Sequence, residues 1–516
     1  MRLYRPSPRA WAAIAVLAAW GASLAWLGTR RLTQTESATL SSEALLRLAP
    51  GASWFALYSG ALQVGQAGIT LDTLSPGYQV LENFSLETPQ DAMVLRASRS
   101  TVTKVSAALL LDSIQSRSVR GDWQDSWTVT VREGRLRIRG GDTPDGGAGT
   151  AVSQVPTTTA ILPFRLALSG GLVEGRGRTV PSYLGAPGVL ERLRVEAGRD
   201  SMAVFADSTM IDPATGALLV AHTDSARARA VLFRGDGPAE RWWIDSRGRV
   251  VGIETAFGLR WVRTDFDLAS SALRNRGAER AATLRSHYPP IAVLTRPDTG
   301  RRERRYLLGR RDGRPLDREL LAPLASGRQE LRGDTLVVLS GSRSPGADRL
   351  DSLPRDPLSD ETDPGVIALV TTARRNIPAS RTDDSALIDA LVREVARRVT
   401  LDTALTAPVG ASAALTRQRA RAEGMARLFV AAARAAGLSA RLAIGIRPVG
   451  DGFESHAWAE VRTTGLWNAV DPAFGRPRAA TDLIRLGSSG PTAPWQLLPR
   501  VAQLRITALP SAEENR

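Results

Sequence analysis

Residues 420–475 constrain the fold more than any other part of the chain, because a clear helix signal is followed there by three clear strand signals. Glu423 to Ala436 is rich in strong helix formers and free of Pro. Met425, Leu428, Phe429 and Ala432 recur at helical spacing, and Gly437 stands where a helix should stop. Ala422 is thereby placed at the helix N-terminus. Leu442 to Ile446, Ser455 to Val461 and Leu466 to Val470 have strand character, the last two joined by a short turn through Thr463, Thr464 and Gly465. If Arg462 to Gly465 form a four-residue turn, His456 faces Asp471 directly across the hairpin, at about 4.5–5.5 Å between Cβ atoms. Trp458, Glu460 and Trp467 then share that face, with Val461, Leu466 and Val470 on the other. A one-residue slip would put His456 and Asp471 on opposite faces.

An imidazole oriented by a carboxylate is the base half of a nucleophilic triad. The third member belongs at a helix N-terminus, where the dipole favours a thiolate. That position is Ala422. The helix, the H-A-W strand and the V-D-P strand together resemble the transglutaminase-like superfamily, whose core is shared with papain-type cysteine peptidases. Family members carry G-D-C before the helix, and counting back from L-F-V-A puts Ala420, Arg421 and Ala422 there. The chain has no Cys. The resemblance implies an α+β domain over roughly Asp363 to Leu509, with His456 as base, Asp471 as orienting acid and Ala422 in place of the nucleophile. In a comparable serine triad, deleting the nucleophile costs on the order of a million-fold.

Neither neighbouring hydroxyl is a convincing substitute, since Ser412 lies ten positions upstream and Ser455 alternates away from the His456 face. Glu423 and Trp458 are candidate ligand contacts, although a first-turn Glu is also an ordinary partner for the helix dipole. A His before Trp on a strand can equally be a satisfied core residue, and Asp-Pro a turn signal. The leading expectation is a non-catalytic domain that binds a peptide or cell-wall-like chain in the old cleft. One alternative is an acyl-transfer or amide-hydrolysing enzyme with a non-Cys nucleophile or a water activated by His456 and Asp471. Another is a purely structural assembly module. No cofactor is expected, and His222, His287 and His456 are too scattered for a zinc site.

The rest of the 516 residues frames this domain. Trp11 to Gly28 is an uncharged apolar run, preceded by Arg2, Arg5 and Arg9 and followed by Arg30 and Arg31. Its eighteen residues suffice to span a bilayer, and the heavier N-terminal basic flank keeps the N-terminus cytoplasmic. Residues 1–31 therefore read as an inner-membrane anchor with the bulk in a periplasm-like space. A secretory signal cleaved near Ser23-Leu24-Ala25 is the alternative.

The net charge of +15 is carried almost entirely by Arg, Lys104 being the only Lys. With so much Ala this bias reads as GC-rich coding, and no dense basic run with interleaved aromatics points to nucleic acid. The nearest approach, Arg301 to Arg311, reads as a solvated loop or an acidic-lipid contact.

Residues 43–341 read as β-rich, with a possible break near 269. Short runs between Trp54 and Leu86 are punctuated by Gly, and a hairpin turns at Glu133-Gly134. A second hairpin turns at Ser246-Arg247-Gly248, with Leu259 to Asp265 as its third strand. These predict antiparallel meanders, partly rolled. A short helix is expected near Pro187 to Arg192, and Gly140 to Thr150 reads as a solvated loop rather than a phosphate cradle. W-F-A-L-Y-S-G and W-W-I-D-S-R-G resemble the β-rich region that precedes transglutaminase-like domains in some bacterial envelope proteins. Beyond Ala269 helical character mixes with strands, including Ile291 to Leu294 and Thr335 to Leu339. Residues 342–364, rich in Pro, Asp, Ser and Arg, read as a linker. Residues 365–510 then hold helices at Val366 to Arg375, Asp384 to Val399 and Ala411 to Arg419, and a last strand at Leu504 to Leu509.

Overall fold

The structure, a computed structural model, describes residues 48–509 except 91–92, 121–122, 141–148, 171, 185–188, 275–276, 288–302, 326, 341–355, 382, 406–408, 450–451, 464, 480, 488–500 and 502. The expected membrane segment Trp11 to Gly28, the strand at Ile291 to Leu294 and most of the loop Gly140 to Thr150 lie outside the described residues. No helix among those described is long and apolar enough to cross a membrane.

Alternating apolar and polar residues build one large sheet from the first half of the chain. Its strands are β1 (Gly51–Ser59), β2 (Leu62–Leu74), β3 (Gly77–Gln90), β4 (Met93–Val105), β5 (Leu111–Arg120), β6 (Trp123–Arg132), β7 (Arg135–Gly140), β8 (Thr150–Ala151) and β9 (Thr157–Thr158). After helix α1 (Leu162–Leu168) follow β10 (Gly177–Leu184), β11 (Val189–Ile211), β12 (Leu218–Arg234), β13 (Glu240–Asp245), β14 (Val250–Thr255) and β15 (Leu259–Thr264). One arm of the sheet runs from β1 out to β8, the other from β15 back to β9, and β1 pairs with β15 between them. All pairings are antiparallel except β9 with β10. The arms roll toward each other: Ile114, Trp127 and Leu136 of one share a buried cluster with Tyr183 of the other. The expected meander is therefore present and curled.

Several local readings change. The β6–β7 hairpin turns where expected, with Glu133 and Gly134 both at positive φ, the geometry that matches strand twist. The helix expected near Pro187 to Arg192 is instead the start of β11. From Val189 to Ala197 burial alternates strictly, so the period of two wins over local helix propensity. The Arg-rich stretch read as a loop is strand β16 (Glu303–Arg310), where Arg304, Tyr306 and Leu308 are buried on one face.

Helices α2 (Phe266–Ser271) and α3 (Ala278–His287) precede β16. Helix α4 (Arg318–Leu321) and strands β17 (Gln329–Arg332) and β18 (Thr335–Leu339) follow it. Then come α5 (Pro364–Arg375), α6 (Asp384–Arg398), β19 (Thr400–Leu401), α7 (Ala411–Arg417), β20 (Arg419–Ala420) and α8 (Ala422–Ala435). Strands β21 (Ser439–Val449), β22 (Gly452–Thr463), β23 (Leu466–Val470), β24 (Ile484–Gly487) and β25 (Leu504–Leu509) complete the order. The last strand pairs with β16, so the chain's end returns to a small sheet ordered β17-β18-β16-β25. Tyr306, Leu336, Ile446, Ile484 and Leu504 then share one core with Leu232 of the large sheet.

Part of the segment read as a linker is packed. Leu358 joins the cluster of Trp127 and Tyr183, and its carbonyl accepts the Ala411 N–H at 2.8 Å. Helix α5 begins at Pro364, where a missing N–H costs nothing, and the Asp363 carboxylate accepts from the N–H groups of Gly365 and Val366.

The C-terminal sheet has the order β23-β22-β21-β24, and α8 crosses one face of it. Leu428, Phe429 and Ala432 of α8 share a core with Ala459, Val461 and Val470. Helices α5 and α6 contribute Leu369, Leu391 and Val395 to that core, which makes α8 a central helix buried along most of its length.

Candidate functional site

His456 stands on β22 and is paired through its backbone with Gly445 on β21. Its neighbour Ala457 faces α8, clustering with Ala426, Leu442 and Ile444, so alternation turns His456 to the sheet's other face. Ala426, which packs against Ala457, lies about one helical turn after Ala422.

The hairpin register differs from the one expected. Thr463 pairs with Leu466 and Ala459 with Val470, so the turn spans two residues instead of four, with Gly465 in the left-handed region. The next position of this ladder sets Trp458, not His456, opposite Asp471. The displacement is an even number of residues, so His456 and Asp471 stay on one face and meet diagonally: His456 Nε2 lies 2.9 Å from Asp471 Oδ2. Both residues are buried. Among the described residues no side chain bonds to His456 Nδ1, which leaves one ring nitrogen available.

Beyond Val470 the β22–β23 ladder ends, and Asp471 leads into a 3₁₀ turn over Pro472–Phe474 that packs beside α8. The turn is closed by reciprocal backbone bonds between Asp471 and Arg476, 2.8 and 2.9 Å. Phe474 is thereby carried to the His456 ring, at 5.6 Å between centroids, while Trp458 stacks on it at 6.2 Å and 18°. Gly445 is required here. A Cβ on it would stand 2.0 Å from the Ile484 carbonyl oxygen and 2.9 Å from the Trp458 ring.

Ala422 is the first residue of α8, after the N-cap Arg421, which makes no side-chain cap bond. Its methyl offers neither a nucleophile nor a hydrogen bond. Glu423 and Trp458 are not laid out on an open surface. Glu423 is buried against Arg427 at 2.8 Å, and Arg427 is also paired with Asp356. Burial pushes the Glu423 carboxyl above its ordinary range, and the Arg427 guanidinium opposes this. Trp458 is fully buried, and among the described residues its Nε1 has no hydrogen-bond partner.

A second buried cluster lies along the same strand face. Glu460 Oε2 accepts from Arg441 at 2.8 and 2.9 Å and lies 3.6 Å from Arg485. Arg485 and Arg441 both reach Asp236 of the β12–β13 turn, at 2.8 and 3.6 Å. Arg441 also stacks on Trp467, 4.4 Å from its centroid. Burial alone would raise Glu460, but Arg441, Arg485 and Arg328 outweigh it and hold the carboxylate below its usual range. The sequence marked Glu460 only as a residue on the His456 face. The other groups of the cluster sit at positions 236, 328, 441 and 485, and no local pattern announces them.

Residues 371–472 match the family described as the Transglutaminase-like superfamily, so the C-terminal part of the chain carries a transglutaminase-like domain. No curated protein sequence matches the chain. Among solved structures, a beta-barrel-like protein of a domain of unknown function from Brucella abortus is 10% identical, with TM-score 0.31, over 42% of this chain and 96% of its own. A solved TGase is 13% identical, with TM-score 0.18, over 45% of this chain and 65% of its own.

Proposed function

We propose, for a chain whose residues 371–472 are a transglutaminase-like domain, that this domain has lost nucleophilic catalysis and binds a peptide or cell-wall-like chain beside His456. The observation that carries the reading is the contrast at α8. The imidazole and carboxylate of the old site remain 2.9 Å apart, while the helix that should present a thiol begins with the methyl group of Ala422. Without a nucleophile the pair loses on the order of a million-fold in a triad-type reaction. What remains is a buried hydrogen-bonding group flanked by an aromatic ring, the composition of a ligand pocket. The apolar run at Trp11 to Gly28 supports attachment to the inner membrane, with the folded bulk on its outer side.

A hydrolytic second reading rests on His456 Nδ1, to which no side chain bonds among the described residues, acting on a water as general base. Purified full-length protein in detergent, assayed on amide donors and short peptides, separates the two. The proposal expects no turnover together with saturable peptide binding that weakens in His456→Ala. Turnover that disappears in His456→Ala would overturn it in favour of the hydrolase.

A further inference from the structure

Phe474 is the exposed member of the site, 39% accessible, and it carries two guanidinium groups as well as the imidazole. The Arg447 guanidinium lies 4.5 Å from its ring centroid and that of Arg476 5.6 Å. The two cations differ in one respect. Arg447 is neutralised by an ion pair with Glu454. Arg476 is exposed, and among the described residues no carboxylate pairs with it. Its backbone is joined by two main-chain bonds to Asp471, whose carboxylate meets His456.

From this we infer that the site beside His456 takes a ligand bearing a carboxylate, held by the Arg476 guanidinium over the Phe474 ring. The inference rests on the binding reading above and names the chemistry it selects. A guanidinium presents paired N–H donors that match a carboxylate's two oxygens, and stacking on an aromatic ring preorganises the fork. Charge balance favours a single negative charge. One free cation matches one carboxylate, whereas a phosphate dianion would stay half compensated beside the buried Asp471 carboxylate. The flat apolar Phe474 face accommodates the chain that carries the carboxylate, and His456 Nδ1 supplies a hydrogen bond on the other flank.

The test uses full-length protein in detergent with two probes, N-acetyl-dialanine and its C-terminal carboxamide, titrated by calorimetry at low salt. The expected result is carboxylate binding at least about tenfold tighter than carboxamide binding, the worth of one charge-assisted hydrogen bond. The preference should vanish in Arg476→Ala, persist in Arg478→Ala, and shrink with added salt. Equal binding of the two probes to the native protein would overturn the carboxylate assignment and leave the binding reading standing. Binding of neither probe, with thermal unfolding unchanged, would overturn both. A preference that survives Arg476→Ala would also overturn the assignment, because the charge would then be read elsewhere.

Discussion

His456 and Glu460 stand four residues apart on β22, on the same face, and both are buried, yet they serve opposite ends. Glu460 is saturated: Arg441 and Arg485 surround it, Arg328 adds a third positive charge, and the group ties the C-terminal sheet to Asp236 of the large sheet. Among the described residues His456 has one polar partner, Asp471, and an aromatic neighbour that reaches solvent. The difference teaches that burial does not distinguish a seam from a site. Partner count does, because a saturated ion cluster has nothing left to offer a ligand whereas an imidazole held by one oxygen does.

The comparison breaks most readily at the saturated end. Glu460→Gln leaves buried guanidinium groups uncompensated and should lower unfolding free energy by about 3–5 kcal/mol in urea denaturation. A loss below about 1 kcal/mol would mean water already solvates the cluster. Next in size is a pH effect. Burial, and then the nearby Asp236, push Glu191 up to about 8 from the ordinary 4.5. The folded state therefore holds a proton that the unfolded state releases. This contribution is fully present below pH 4.5 and is lost as pH rises toward about 8. Thermal melts across that window should show falling stability, by about 3–5 kcal/mol, and Glu191→Gln should flatten the trend. Glu460, held low, has the opposite sign and loses its contribution only as pH falls below the carboxylate range.

Gly445→Ala should cost about 1–3 kcal/mol through overpacking against Ile484 and Trp458. It should also displace the imidazole support, visible as altered Trp fluorescence. An effect of similar size is expected at the site, where His456→Ala leaves the buried Asp471 carboxylate without its partner and should cost about 1–3 kcal/mol, while reducing peptide binding. If it destabilises as much as Glu460→Gln, His456 is a core residue and the contrast fails.

Much of this architecture was legible in residues 420–475, because helix period, Gly437 and strand alternation agreed with one another. The face shared by His456 and Asp471 survived a wrong turn length, since an even displacement preserves side-chain parity; their exact opposition did not, because Arg462 to Gly465 carry no signal that fixes how many residues leave the ladder. β16 was hidden by its arginines, whose stems pack along a strand while their charges suggest solvent. The seam around Glu460 was illegible for a different reason. Its groups converge from sequence positions more than two hundred residues apart, and only the fold brings them together.

The most direct test restores the missing atom. In Ala422→Cys the new thiol stands at the first residue of α8. The account predicts that it reacts with iodoacetamide at neutral pH at least about tenfold faster than a Cys placed on an exposed strand, through a stabilised thiolate. It also predicts that the advantage disappears when His456 is replaced by Ala. A thiol of ordinary reactivity, indifferent to His456, would contradict the claim that this site keeps the geometry of a triad that has lost its nucleophile.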